Sequence, residues 1–229
     1  MRAYYDLHIH SCLSPCGDAD MTPNNIVGMA KLKGLDVIAV SDHNSALNLP
    51  AVMAVAETND LLVIPAIEAN TAEEVHVLCL FESLEGALGF SDLLYEHLPP
   101  ILNDPAVFGA QQIMDTQDQV IGTVDKLLIN AADLSIDDLL REIVPFGGVC
   151  IPAHVDKNAY SITAALGYIP PEYGFSCIEV KSPPFDTDFA GHVITDSDAH
   201  YLEHIAERER FLEVNALSVR GVLDALGSF

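Results

Sequence analysis

The chain has 229 residues, half of them apolar, which fits one large domain with its own core. Its formal net charge of −24 comes from 34 acidic and only 10 basic side chains, which argues against a nucleic-acid polymer as partner, because affinity for a phosphate backbone comes mainly from lysine and arginine. No apolar run approaches the ~20 residues of a membrane span and no signal-peptide pattern is visible, so we expect a cytoplasmic protein.

The first third of the chain alternates strand and helix patterns. Ala3–His10 reads as a strand. Thr22 and Pro23 predict a helix start, and apolar residues at helical spacing continue to Lys33, with Gly34 where a C-terminal cap belongs. This alternation predicts βα units and a parallel sheet. The next predicted elements are a strand at Asp36–Val40, a helix at Leu49–Ala56, and strands at Leu61–Ile67 and Val75–Phe81.

The middle of the chain, residues 82–147, has a different pattern. It reads as mostly helical, with three prolines between residues 99 and 105 as interruptions and Ser135 as the cap of a last helix. We interpret it as a helical insertion that covers the rest, and we treat residues 1–229 as a single domain. Alternation then resumes, with strands at Val149–Ala153, Cys177–Val180, Val193–Thr195 and Phe211–Val214, and a helix at Ser218–Leu226.

Histidine and carboxylate side chains lie at or near the ends of the predicted strands. His8 and His10 are one residue apart in a strand, so they project from the same face. The carboxyl ends of parallel strands meet at one edge, and imidazole with carboxylate suits zinc, manganese or iron. One such residue alone is a weak signal, but together they predict a metal centre formed by His8, His10, His43, Glu68, His76, His154, Asp198 and His200.

The cysteines and a search for common catalytic motifs give no further indication of function. The five cysteines include no CxxC pair, so we do not expect a disulfide scaffold. Cys12 and Cys16 form a Cx3C pattern, which is a weak zinc signal, and reduced bystander thiols are the favoured interpretation. The chain contains no Gly-rich or Walker loop, and no Ser-His-Asp or catalytic-cysteine pattern.

The segments DLHIHS, SDHNS, PAIEAN, VHVLCL, PAHVDK and TDSDAH resemble the successive motifs of the PHP family, the polymerase and histidinol phosphatase superfamily of metal-dependent phosphoesterases. The resemblance runs from Tyr4 to about His200 and leaves out the middle segment. It implies an α/β fold, a distorted seven-stranded βα barrel similar to a TIM barrel. It also implies two or three divalent ions, which we expect to be zinc, manganese or iron.

The resemblance implies three sets of ligands. The ligands of one ion would be His8, His10, Glu68 and Asp198. Glu68 would bridge to a second ion, whose other ligands would be His76 and His154. A third ion would be held by His43 and His200 together with a residue of the first loop.

The first-loop ligand is where this chain departs from the family pattern. The family usually has Asp or His about seven or eight residues after the first motif histidine, where this chain has Pro15 and Cys16. Counting back five residues from Pro23, the start of the first helix, points instead to Asp18. We therefore predict Asp18 as the ligand, with Cys16 as the second candidate and a solvated loop position for Asp18 as the alternative.

The resemblance further implies a hydrolase in which a metal-activated hydroxide attacks a small phosphate ester. Lys157 and Lys181 are candidate phosphate contacts, or ordinary surface lysines. Asp42 and Asp196 either orient ligand imidazoles or cap strand ends. Two alternatives remain open: a metal-dependent hydrolase of C–N or C–O bonds, and a catalytically idle metal-binding regulatory module. The residues expected to carry catalysis are Glu68, Asp198 and His200.

Overall fold

The computed structural model of the chain describes residues 1–227. The strands in this range are β1 (Arg2–Ile9), β2 (Val37–Val40), β3 (Leu62–Asn70), β4 (His76–Phe81), β5 (Gln112–Met114), β6 (Val120–Thr123), β7 (Gly148–Pro152), β8 (Cys177–Glu179), β9 (His192–Ile194) and β10 (Phe211–Glu213). The α-helices are α1 (Pro23–Leu32), α2 (Leu49–Glu57), α3 (Leu84–His97), α4 (Pro105–Phe108), α5 (Ile136–Glu142), α6 (Ile162–Leu166) and α7 (Val219–Ala225). None of the helices in this described range has both the length and the apolarity needed to cross a bilayer.

Six strands form the main sheet, in the order β10-β1-β2-β3-β4-β7. The pairs β1–β2 and β2–β3 are parallel, and helices α1 and α2 connect them, as the alternating pattern predicts. Strand β4 runs antiparallel to β3. The turn between Asn70 and His76 is too short for the crossover that a parallel strand requires, so the chain reverses there.

The prediction of an α/β fold is confirmed, with a curled mixed sheet at its centre. Hydrogen bonding defines six strands in this sheet rather than seven. Strands β8 and β9 form a separate parallel pair beside it. The Val155 N–H donates to the Glu179 carbonyl, and Ile9 forms a β-bridge with Ala199. The first contact joins the end of β7 to β8, and the second brings the segment after β9 to the end of β1.

Both faces of the main sheet are covered. In β2, Ile38 and Val40 belong to a large apolar cluster that includes residues of α1 and α2. Val37 and Ala39 belong to a second cluster, on the opposite face, that includes Val222 of α7. Because all four residues of β2 are buried, this strand reads as a continuous apolar run rather than an alternating one.

The middle segment is only partly helical. Helices α3 and α5 begin after the N-caps Ser83 and Ser135, and each cap side chain accepts a hydrogen bond from the first turn. Between these helices the prediction of helix is wrong, because the chain forms the single turn α4 and the antiparallel hairpin β5–β6. The prolines at 99, 100 and 105 interrupt helical hydrogen bonding, and the β-branched Val120 and Ile121 favour a strand.

Candidate metal centre

The predicted ligand residues converge at one edge of the main sheet. His8 lies in β1 and His10 just beyond its end, and His43 follows β2. Glu68 lies in β3, and its backbone forms a bridge with His43. The antiparallel β4 begins at this same edge, so its first residue, His76, points into the same space. The remaining residues of the cluster follow β7 and β9, and they are His154, Asp198 and His200.

Glu68 lies at the centre of the cluster and is buried. Its carboxylate is within 3.5 Å of the ring nitrogens of five histidines. Oε1 lies 2.9 Å from His76 Nδ1 and 3.2 Å from His154 Nε2. Oε1 is also 3.3 Å from His8 Nε2, and Oε2 is 3.0 Å from His43 Nδ1 and 3.4 Å from His10 Nε2. No other carboxylate of the site contacts as many imidazoles.

Two further groups of side chains have the spacing of metal ligands. The ligand atoms of His8, His10 and Asp198 lie within 4.8 Å of one another, and so do those of His43, Glu68 and His76. Asp198 Oδ1 is 3.4 Å from His10 Nε2 and 3.7 Å from His8 Nε2. The first group contains three of the four residues predicted for the first ion, whereas the second has His43, predicted for the third ion, where the prediction had His154.

The third group contains Cys16 rather than Asp18. The ligand atoms of Cys16, His10, His43 and His200 lie within 4.8 Å of one another, and the Cys16 sulfur is 3.1 Å from His200 Nε2. Asp18 is not in this group, and its carboxylate instead accepts the Asp20 N–H at 2.9 Å. This arrangement favours the second candidate, Cys16, over Asp18 as the first-loop residue of the group.

The path of the loop after β1 explains why Cys16 takes this place. The Asp18 N–H donates to the His200 carbonyl at 2.9 Å and ties the loop to the far side of the site. A Cβ at Gly17 would overlap the carbonyl oxygen of Ser11, so this tight path requires glycine. With the backbone held in this way, the side chain that turns towards His200 is the one at position 16.

Several buried atoms of the site lack a hydrogen-bond partner. They are Glu68 Oε2, His43 Nδ1, His76 Nε2 and His154 Nδ1. Glu68 Oε2 and His43 Nδ1 lie only 3.0 Å apart, yet without hydrogen-bonding geometry. Buried polar atoms are almost always paired, and a divalent cation between carboxylate and imidazole would satisfy Glu68 Oε2 and His43 Nδ1. The other two unpaired atoms lie on the far side of their rings, because His76 and His154 face Glu68 through Nδ1 and Nε2. The residues present therefore fit a metal centre.

The histidines determine the charge of the two central carboxylates. Burial would raise the pKa of Glu68, but the facing His76, His8 and His43 lower that pKa well below its usual range. For Asp198 burial acts in the same direction, but His8 and His10 together lower the pKa of this carboxylate below its usual range. Both carboxylates therefore stay ionised at neutral pH and supply the negative charge that a bound cation needs.

Glu179, in β8, contacts the cluster and was not predicted from the sequence. Its carboxylate oxygens lie 3.0 and 3.1 Å from His8 Nδ1, and one of them accepts the His154 N–H at 3.1 Å. Burial would lower the pKa of His8, but Glu179 and then Glu68 raise it well above its usual value. A carboxylate on Nδ1–H leaves Nε2 free for a metal. A glutamate inside the apolar run CIEV was the available signal.

Asp42 acts on the site through a serine. His10 Nδ1 lies 2.9 Å from Ser14 Oγ, and this hydroxyl donates to Asp42 Oδ1 at 2.6 Å. These two hydrogen bonds would allow Asp42 to orient the His10 imidazole through the Ser14 hydroxyl, as predicted. Asp196 instead accepts the N–H of Leu7, inside β1, at 2.6 Å, and among the described residues it forms no hydrogen bond with a ligand imidazole.

The two predicted phosphate contacts flank the site. Lys157 Nζ lies 2.6 Å from Asp198 Oδ2 and its side chain is 37% exposed. Lys181 Nζ donates to the Ser197 carbonyl, next to Asp198 in the chain. Both ammonium groups are therefore held at the Asp198 side of the cluster.

The reactivity of Cys16 provides a first test of this geometry. Burial would raise the pKa of its thiol, but His200 and His43 lower it to about 7. The thiolate is the nucleophile, so iodoacetamide should alkylate Cys16 of the metal-free protein at neutral pH, and added Zn²⁺ should protect it. Mass spectrometry of the digest measures both effects.

Cys12, in the same loop, is the matched control. Burial and then Asp42 raise the pKa of its thiol to about 12, so it should stay unmodified with or without zinc. Equal alkylation of Cys16 in the presence and absence of zinc would show that its sulfur is not a ligand.

The family model of the PHP domain matches residues 6–146, which is more than half of the chain. The chain belongs to the PHP family. The match includes the middle segment, which the motif comparison had left outside, and it ends before His154. The prediction of a metal-dependent hydrolase of the PHP family is confirmed at this level.

Solved structures similar to this PHP protein share its fold. They include endonuclease Q (TM-score 0.72, 19% identity, 99% of this chain and 57% of that one), a protein assigned as a metal-dependent phosphoesterase from Bifidobacterium adolescentis (0.62, 18%, 96% and 96%), and an amidohydrolase from Chromobacterium violaceum (0.62, 17%, 99% and 96%). The chain spans little more than half of endonuclease Q. No curated protein matches the chain in sequence.

The prediction that argued against nucleic-acid polymers as partners is wrong. It was based on net charge, whereas the endonuclease Q structure holds a 27-mer duplex with an abasic lesion at its active site on the same fold. Net charge describes the field far from the surface, but a metal centre carries its own local positive charge. The acidic composition therefore does not exclude a nucleic-acid substrate.

Proposed function

We propose that this PHP protein is a phosphoesterase that hydrolyses a small phosphate ester with two or three bound divalent ions, zinc, manganese or iron. The observation that carries the proposal is the position of Glu68, a buried and ionised carboxylate within 3.5 Å of five imidazoles. Such a donor set is costly to bury without a cation. The proposed ligands are His8, His10, Cys16, His43, Glu68, His76, His154, Asp198 and His200.

The bound ions would lower the pKa of a coordinated water and polarise the phosphoryl oxygens. The protein side chains set the charge of the site and the orientation of the metal ligands. Glu68 and Asp198 stay ionised, and Glu179 holds the Nδ1–H of His8 so that Nε2 faces the cluster. His200 is 25% exposed, so it borders the side from which a substrate must enter.

The middle segment, in this proposal, is an insertion of a single catalytic domain and covers one side of the site. Asn44, next to His43, donates from its side-chain amide to the carbonyls of Leu128 and Asn130 at 2.8 and 2.9 Å. Asn70, at the end of β3, donates to the Ile129 carbonyl at 3.0 Å. Changes in residues 128–130 would therefore reach the site through three hydrogen bonds from Asn44 and Asn70.

Two other reactions compete with this proposal. The amidohydrolase of the same fold supports attack on a C–N bond, because the same chemistry applies to carbonyl groups. The endonuclease Q complex supports a phosphodiester in DNA. A catalytically idle metal-binding module is the third alternative. Loss of a ligand position would support it, and the described residues show no such loss.

The test is a metal analysis followed by an activity panel. Protein purified without chelator should contain at least two metal ions per chain, and with added Mn²⁺ it should hydrolyse small phosphomonoesters or nucleotides. The panel should also contain an amide and a DNA duplex with an abasic site. If the protein cleaves only the duplex or only the amide, that reaction replaces the small-ester proposal. If no metal binds on titration, the proposal of a metal-dependent phosphoesterase is wrong.

Lys157 should bind the substrate phosphate. We expect Lys157→Ala to raise KM for phosphate esters by about 10-fold or more, because hydrogen bonds to charged groups contribute ~1.5–3 kcal/mol. Metal content should not change. Lys126→Ala is the control, since Lys126 Nζ donates to the carbonyls of Tyr95 and Leu98, away from the cluster. Loss of metal in Lys157→Ala would indicate that the lysine acts by holding Asp198.

A further inference from the structure

Two cysteines face each other on neighbouring strands, outside the metal centre. Cys79 in β4 and Cys150 in β7 are directly opposite in the antiparallel register. Backbone hydrogen bonds mark the pairs His76/Ala153 and Glu82/Gly147 on either side. Hydrogen-bonded and non-hydrogen-bonded pairs alternate along such a ladder, so the cysteine pair, three residues from each, is a non-hydrogen-bonded pair.

This position suits a covalent bond between the two sulfurs. In a non-hydrogen-bonded pair the Cα atoms are about 4.5 Å apart and both side chains project from the same face. Disulfides span Cα separations of roughly 4.4–6.8 Å. Burial, and then the facing Cys150 thiol, raise the pKa of Cys79 well above its usual value.

The pair is accessible to small reagents from one side. Cys79 is fully buried, whereas Cys150 is partly exposed. Cys150 lines a cavity of about 170 Å³ together with Ile143, Tyr173 and Phe175. Cys79 does not line this cavity, so a small oxidant there would reach Cys150 before Cys79, its partner on the neighbouring strand.

We propose that Cys79 and Cys150 form a reversible disulfide when a peroxide enters this cavity. The Cys150 thiol loses its proton and its sulfur attacks an oxygen of hydrogen peroxide. The O–O bond breaks, Cys150 becomes a sulfenic acid, and the leaving hydroxide takes up a proton and departs as water. The Cys79 sulfur then attacks the Cys150 sulfur, the S–O bond breaks, and a second water leaves. Two electrons pass from the two thiols to the peroxide, and a dithiol reductant reverses the bond.

The bond would join the two strands that carry metal-centre residues. His76 lies three residues before Cys79, and His154 four residues after Cys150. Both histidines contact Glu68 Oε1, at 2.9 and 3.2 Å. Oxidation would therefore fasten β4 to β7 directly beside the cluster. This inference does not depend on the proposed phosphoesterase activity.

The test maps the thiols of the full-length, metal-loaded protein. The protein is treated with hydrogen peroxide, quenched with catalase, unfolded in N-ethylmaleimide and digested without reduction. Mass spectrometry should show a peptide that links Cys79 to Cys150, and dithiothreitol should restore alkylation of both. Cys177 is buried without a cysteine partner opposite it and should be alkylated throughout. Cys79 that stays fully alkylated after peroxide treatment would overturn the proposal.

Variants and stability give independent readings. In Cys150→Ser, peroxide should leave Cys79 alkylatable, and in Cys79→Ala the sulfenic acid on Cys150 should persist and react with dimedone. Oxidised wild-type protein should unfold roughly 5 °C or more above the reduced protein, because the bond closes a long loop in the unfolded chain. A lower unfolding temperature after oxidation would mean that the native register does not accommodate the bond.

Discussion

Replacement of Glu68 by glutamine is expected to abolish hydrolysis and to release metal. The amide keeps the volume of the side chain but removes the charge that five imidazoles face. Loss of one member of a buried charged pair costs about 3–5 kcal/mol, which corresponds to a loss of roughly 10²–10⁴ in metal affinity or rate. Metal content per chain and kcat/KM measure the two effects.

Glu96→Gln is the control for this change. Glu96 is an exposed residue of α3, and its replacement removes one unit of charge without touching the site. Circular dichroism should show both variants folded. Near-normal turnover with full metal content in Glu68→Gln would show that Glu68 is not the shared ligand.

Replacement of Glu179 by glutamine is expected to weaken metal binding by about 10- to 100-fold. Glu179 reaches no metal position itself, but it holds the Nδ1–H of His8 and accepts the His154 N–H. An amide at this place can present an N–H to His8 Nδ1, which would move the ring proton to Nε2 and block its lone pair. Competition with a chromophoric chelator measures the zinc affinity.

Glu172→Gln serves as the matched control, because Glu172 is exposed in the short 3-10 helix Pro171–Tyr173. Its zinc affinity should equal that of the wild type. An unchanged affinity in Glu179→Gln would mean that backbone packing alone orients His8.

The first loop illustrates a limit of motif spacing. Distance from Pro23 favours Asp18, and distance from His8 favours Cys16, so the two counts disagree. The structure resolves this through contacts that join distant parts of the chain. The Asp18 N–H bonds to the His200 carbonyl, and Ser14 bonds to Asp42. No local pattern in the loop contains this information.

The sequence by itself determined the fold class, the family and most of the proposed ligand set. Strand periodicity places His8 and His10 on one face, and parallel strands bring His43 and Glu68 to the same edge, so local rules suffice there. The tertiary structure alone decided that Cys16 lies beside His200, that Glu179 contacts His8, and that β4 runs antiparallel. It also decided that Cys79 faces Cys150. Loop paths and cross-strand partners depend on hydrogen bonds between residues far apart in sequence, and periodicity does not encode those pairings.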